Sequence, residues 1–368
     1  MIAHTNLVGC RKEELDTPAL LIDLPIMERN IDRMASTIIH EAGVNWRPHT
    51  KGMKSPALAH KLLDAGAIGV TCAKLGEAEV MAAGGVKDIL IANQVVGPQK
   101  VARLVNLRKH TDVMVAVDCE EHVEAIDRAA REKGVRIRLV IEINTGMDRA
   151  GVDPGEPALA LARKIHGKEG VQLAGLFTWE SIALRIEDPE EKKRIIDDAL
   201  TSVTDTAQKC RNEGMPIDVI SCGGTGTYWI SAFQPGITEI QAGGGIFCDV
   251  IYRHQYGVEH PYALTVLATV TSRPAPTRII CDAGRKTMSV GAADPDPIGI
   301  SSVESVGMSA EHGTVKLTEP SETPRVGDKI EFVIGYSDVT VALHDEIYGI
   351  RDGVVETVWP LLGRGRLQ

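Results

Sequence analysis

The chain lacks any stretch of about 18 apolar residues, the length a membrane-spanning helix needs, so a membrane protein is not expected. It also lacks an excess of positive charge. The 40 Lys and Arg residues stand against 50 Asp and Glu, a formal net charge of −10. Nucleic acid is therefore not an expected partner, because phosphate backbones recruit basic surfaces. Cys-x-x-Cys pairs are missing. The seven cysteines, at 10, 72, 119, 210, 222, 248 and 281, are scattered and odd in number. That pattern excludes a disulfide framework and a zinc ribbon, and a reducing cytoplasm is the expected setting. The opening "MIAHTNLVGCRKEELDTP" carries no secretory signal pattern. There is no sequence repeat, linker or low-complexity segment. What remains is an ordinary globular composition, 43% hydrophobic and 24% charged. Its 368 residues are enough for one large barrel and a smaller domain.

From residue 45 to about 245, short apolar runs alternate with amphipathic segments. The runs are "NWRPH" (45–49), "IGVTC" (68–72), "ILIAN" (89–93), "DVMVAVD" (112–118), "RLVIEI" (138–143), "LAGLF" (173–177), "DVISC" (218–222) and "EIQAG" (239–243). Between them, "EEHVEAIDRAAREKG" (120–134) has apolar residues at helical spacing and a terminal glycine. "DPEEKKRIIDDALTSVTDTAQKCRNEG" (188–214) opens on acids and also closes on glycine. Eight strand–helix units predict a (β/α)8 TIM-type barrel over 25–250. Beyond about 255 the pattern changes to strands with turns between them, including "YALTVLATVTSRP", "TRIICDAG", "GTVKL", "DKIEFVIG" and "GVVETVWP". "ALLIDL" (19–24) would be a ninth parallel strand in the barrel, so 1–24 and 255–368 are expected to form a smaller β-rich domain.

Active sites of such barrels lie at the C-terminal ends of the strands. Read in order, those ends carry Lys51, Lys74, Asn93 with Gln94, Asp118, Asn144, Trp179, "CGGTGT" and "AGGGIF". In "NWRPHTKGMKSP" (45–56), strand alternation puts Arg47, His49 and Lys51 on one side. Three potential cations on one face suit an interior that offers anions. Glycine turns after the seventh and eighth strands are where these barrels hold a phosphate, because bare backbone N–H groups can close on it. Gly223, Gly224, Thr225 and Gly226 and then Gly243, Gly244 and Gly245 are the candidates. The plainer readings are tight turns and a solvated lysine. A phosphate site set against a lysine suggests pyridoxal 5′-phosphate, held by Lys51 as a Schiff base.

Several motifs then carry a resemblance. "EINTGMDRAGV" (142–152) and "AGLFTWES" (174–181) are similar to segments of fold-type III, alanine-racemase-like pyridoxal enzymes. "LDTPALLIDLPIMERNIDRMA", "RPHTKGMKSPALA", "CAKLGEAEVMAAGGVKDILIANQVVG", "SCGGTGTY" and "HDEIYGIRDGVVETVWP" resemble the D-threonine aldolase, D-serine dehydratase and 3-hydroxy-D-aspartate aldolase group. The resemblance covers nearly the whole chain. It implies that Lys51 is the Schiff-base lysine, that Arg149 contacts the phenolic oxygen of the cofactor, and that a homodimer shares its active sites. His49 belongs to the same cofactor-binding set, and Trp179 is placed to stack on the pyridine ring.

The chain also departs from this group. The metal-dependent members carry a His-Cys-Asp or similar triplet in the second domain. Here "GYSD" puts Tyr336 where the histidine would stand, followed by Ser337 and Asp338. A phenol titrating near about 10 is a poor ligand for a divalent ion at neutral pH. No metal is therefore expected to be required, and Asp338 would be the anchor of any ion that binds. His344 and Asp345 lie close by and are read as structural. After Trp179 come Glu180 and Ser181, with Arg185 near an expected histidine. The resulting expectation is a lyase acting on a small D-configured β-hydroxy amino acid by retro-aldol cleavage or dehydration, with Lys51, Tyr336, Asp338 and Arg185 as its catalytic residues. An amino-acid racemase or epimerase of the same fold, with Tyr336 as base, is the alternative. A non-catalytic pyridoxal-phosphate-binding protein is a third.

Overall fold

The computed structural model describes residues 7–289, 291 and 293–368. The chain divides into two compact units. One comprises Asp32–Lys51, Ser55–Gly243 and Gly365–Gln368. The other comprises the described residues up to Ile31 together with Gly52–Lys54 and Gly244–Arg364.

The first unit is built on eight parallel strands. Around the sheet they run Asn45–Trp46, Glu239–Ile240, Val219–Cys222, Val171–Phe177, Ile137–Glu142, Asp112–Val117, Asp88–Gln94 and Val70–Cys72. The ring closes where the Ile68 N–H donates to the Trp46 carbonyl and the Thr71 N–H to the Pro48 carbonyl, both at 2.9 Å. Most of these strands carry largely apolar runs because both of their faces are covered. Val113 to Val117 are all fully buried. Leu90, Met114, Ala116, Val140, Ala174 and Phe177 pack together as a core cluster.

The covering helices follow the signals in their sequences. Glu120–Glu132 buries Val123, Ile126 and Ala130 on one face and begins with two glutamates. Pro189–Asn212 starts at Asp188, whose carboxylate accepts from the Glu191 N–H at 2.8 Å. Two residues beyond its last helical residue, Gly214 turns the chain at φ +79°.

In the second unit, Leu264–Ala275 is the long central strand. It pairs antiparallel with Ala19–Asp23, Arg278–Cys281 and Lys329–Val333. Ala19–Asp23 pairs parallel with Glu346–Arg351, which forms a hairpin with Val354–Pro360. The strands Val303–Met308 and Glu346–Arg351 were not among those expected from the sequence. The hairpin turn is Asp352-Gly353, both at positive φ (+53° and +78°), the conformation that a two-residue turn between twisted strands requires. That Asp-Gly pair was the signal that marks Glu346–Arg351. Among the described residues, no helix is long and apolar enough to cross a membrane.

Candidate active site

Arg47 and Lys51 come from one segment but serve different ends of the barrel. Arg47 is 2% exposed. Its Nη1 lies 2.8 Å from Asp88 Oδ1, and its Nε lies 2.9 Å from Glu239 Oε1. Asp88 and Glu239 are the first residues of their strands, so this cluster sits where the strands begin. The cation finds its anions as expected, but they are protein carboxylates remote from the strand ends that carry the site. Strand alternation does not separate a dry face from a wet one either. Trp46 is fully buried and its indole N–H donates to the Ala242 carbonyl at 2.7 Å.

Lys51 lies beyond the strand, in a single 3-10 turn, Thr50–Gly52. The His49 Nδ1 accepts from the Lys51 backbone N–H at 3.3 Å. The Lys51 Nζ stands 5.4 Å from the centre of the Trp179 ring. Arg149, on the loop after Ile137–Glu142, places its Cζ 5.5 Å from the same ring. Two cations thus lie within cation–π reach of one indole ring, whose quadrupole attracts each. Arg149 is also 3.6 Å from Glu142 and keeps half its side chain in solvent.

Behind Arg149 lies a relay that sequence reasoning did not assign. Gln94 donates to Glu142 at 2.5 Å and to Asp118 at 3.2 Å. Asp118 also accepts from the Gly151 N–H at 3.0 Å, which ties it to the Arg149 loop. Burial pushes the Glu142 carboxyl up, while the Gln94 hydrogen bond and the Arg149 charge oppose that rise. The strand ladder slips between Ile91 and Gln94, and such irregularities re-aim side chains next to sites. Gln94 and Asp118 were visible as strand ends. Glu142 gave only the weak signal of a carboxylate closing an apolar run.

The turn after Val219–Cys222 carries Gly223, Gly224, Thr225 and Gly226, with Gly223 at φ +80°. The Gly223 N–H donates to Glu180 at 3.2 Å and the Gly224 N–H to Thr227 Oγ1 at 3.1 Å. Packing demands glycine here. A Cβ on Gly224 would stand 2.9 Å from Trp179 Nε1, and one on Gly243 would stand 2.2 Å from the His49 carbonyl oxygen. Gly224→Val should therefore weaken cofactor binding by about tenfold or more, since the indole that the side chain displaces is the one Lys51 and Arg149 face. Titration of the cofactor-free protein would check this, and unchanged affinity would remove the turn from the site. Arg185 is exposed beyond the 3-10 turn Ser181–Ala183.

The remaining candidates belong to the second unit. The Tyr336 hydroxyl donates to Asp338 Oδ2 at 2.8 Å. Burial and then the Asp338 charge drive the Tyr336 phenol well above its ordinary range. Asp249, fully buried, accepts from the Ser337 N–H and hydroxyl, both at 2.8 Å, and so fixes the residue between them. Burial raises the Asp249 carboxyl to about 7. Gly52, the chain neighbour of Lys51, packs in this unit against Asp338, where a Cβ would stand 2.5 Å from Oδ1. A Cβ on Gly244 would meet the Tyr252 hydroxyl at 2.4 Å, and the Gly245 carbonyl lies 2.8 Å from His260 Nδ1. His344 Nε2 is 2.9 Å from the Thr287 carbonyl, and Asp345 accepts from Arg364 at 2.6 Å.

Residues 22–249 match the family model described as alanine racemase, N-terminal domain, and residues 263–350 match that of a putative serine dehydratase domain. The D-threonine aldolase of an Arthrobacter species is 34% identical over 95% of this chain and 93% of its own. The chain belongs to the D-threonine aldolase group of the alanine racemase-like family. A D-threo-3-hydroxyaspartate dehydratase from Delftia is 36% identical over 75% of this chain and 73% of its own. Among solved structures, D-threonine aldolase from Filomicrobium marinum superposes with a TM-score of 0.95 at 32% identity, covering 98% of this chain and 99% of that one. The barrel followed by a β-rich unit is the architecture of this group.

Proposed function

We propose that this protein is a pyridoxal-phosphate-dependent lyase that cleaves a D-configured β-hydroxy amino acid. The observation that carries this reading is the convergence of Lys51 and Arg149 on the Trp179 ring, with the glycine turn at Gly224 packed against the same indole. These residues fit the cofactor. There is a primary amine for its aldehyde, a guanidinium for its phenolic oxygen, an aromatic surface for its ring and a glycine turn for its phosphate. When bound through Lys51, pyridoxal phosphate supplies an electron sink for the pair released when a bond to the substrate Cα breaks.

The chain's own residues do the rest. Lys51 presents the amine that a substrate amine displaces. Trp179 fixes the plane, and the Gln94–Asp118–Glu142 relay holds the Arg149 loop. Asp338, oriented by the Tyr336 hydroxyl, is the proposed acceptor of the substrate's β-hydroxyl proton, with Arg185 a further candidate on the substrate side. Retro-aldol cleavage then yields glycine and an aldehyde. Dehydration would instead yield a 2-oxo acid and ammonia. Product analysis with D-threonine and D-3-hydroxyaspartate tests the proposal, and release of neither product pair would refute it. The racemase alternative fits less well. Burial and the Asp338 charge keep the Tyr336 phenol protonated, and its hydroxyl donates to that carboxylate, so it is not available as a base at pH 7. The homodimer with shared sites and the cytoplasmic setting are part of the same proposal, and sedimentation would check the dimer.

The proposal includes activity without a divalent ion. Asp338 gives one carboxylate, and the neighbouring Tyr336 hydroxyl is already directed at it. Exhaustive chelation should leave activity within about twofold of its starting value, because a single carboxylate is a weak anchor for a hard ion. Activity that collapses on chelation and returns with manganese or zinc would overturn this. The Tyr336→His variant should acquire a divalent-ion site beside Asp338, measurable by calorimetry.

A further inference from the structure

We infer that Glu180 is a positioning residue that braces the 223–227 turn and thereby sets the preference for phosphorylated over unphosphorylated pyridoxal. The inference rests on the proposal that this turn holds the cofactor's phosphate. Glu180 follows Trp179 on the loop after Val171–Phe177 and is fully buried. Its carboxylate accepts from three points on the next loop: the Gly223 N–H at 3.2 Å, the Thr227 hydroxyl at 2.6 Å and the Ser231 hydroxyl at 2.5 Å. Thr227 extends the bracing, since its oxygen also accepts from the Gly224 N–H at 3.1 Å.

Both ends of the turn and the short helix Tyr228–Ser231 are therefore fixed to one side chain. The backbone N–H groups of residues 225 and 226 lie between the braced ends. Only a carboxylate matches this donor set. It offers two acceptor oxygens and no donor, whereas a glutamine would turn an NH2 group towards a hydroxyl or N–H. The same loop supplies Trp179, whose Nε1 edge closes on Gly224. Glu180 touches neither ring nor phosphate in this reading. It acts through the turn, so its removal should be felt by the phosphate and not by the rest of the cofactor.

The test is equilibrium titration of the full-length, cofactor-free protein with pyridoxal phosphate and, separately, with pyridoxal. Glu180→Ala should weaken pyridoxal phosphate by about tenfold or more and leave pyridoxal within about twofold, because three buried donors lose their acceptor next to the anion site. Thr227→Ser, which keeps the hydroxyl, should bind both as the parent does. If Glu180→Ala does not fold, Glu180→Gln carries the test, with an expected fall of about threefold or more in the ratio of the two affinities. Equal loss for both ligands, or no loss for either, would overturn the positioning role. A parent protein that binds the two ligands equally would instead refute the phosphate reading itself.

Discussion

Replacing Lys51 by alanine should abolish the visible colour of the purified protein and lower activity by roughly a thousandfold or more, as loss of a covalent catalytic group does in other enzymes. Lys51 is the lysine held 5.4 Å from the Trp179 ring, in the turn that follows the first barrel strand. Borohydride treatment of the parent protein followed by peptide mass analysis should find the reduced adduct on Lys51. An adduct on Lys54 or Lys74 would sink the assignment. Lys54 is buried in the second unit at φ +55°, and the Gly363 N–H donates to its carbonyl at 2.8 Å. Lys74 directly precedes the helix Leu75–Ala83, and its carbonyl accepts from the Ala78 N–H at 3.0 Å. Their backbones have structural roles, so the colour of the Lys51→Ala protein separates the three.

The second large effect is on stability. Arg47→Ala should destabilise the protein by about 3–5 kcal/mol, the range seen when one partner of a buried ion pair is removed. Glu239, 2% exposed, would lose the guanidinium at 2.9 Å, and Asp88 would keep Arg138, whose Nη2 lies 3.0 Å away. Denaturant unfolding of the two proteins would measure the difference. Arg47→Met should recover little, because the carboxylate remains buried without its cation. A loss below about 1 kcal/mol, the range of surface pairs, would show that the cluster is solvated in solution.

Most of the barrel strands were legible because strands covered on both faces are apolar along most of their length, which makes the runs in "DVMVAV" and "RLVIE" stand out without any alternation to decipher. The two long helices were legible because their caps and dipole-matched charges are local. Lys51 and the glycine turns could be put forward as candidates because strand order converts sequence position into position around the rim. The hairpin strand Glu346–Arg351 escaped because its apolar run is short and broken by Tyr348 and Gly349, and only its turn residues mark it.

The sequence by itself determined the architecture, and it named the candidates for the cofactor side of the site, since both follow from periodicity and from which residue ends each strand. The tertiary structure alone decided what the polar residues do. Arg47 and Lys51 are four residues apart and both look like candidates. Only the positions of Asp88 and Glu239 show that the first is a structural ion pair. Glu180 reads as an anomaly beside a turn proposed to hold an anion. It makes sense once Gly223, Thr227 and Ser231, more than 40 residues along the chain, are brought to its two oxygens. Buried polar groups take their meaning from partners distant in sequence, because burial leaves each donor and acceptor to be satisfied by whatever the fold places beside it.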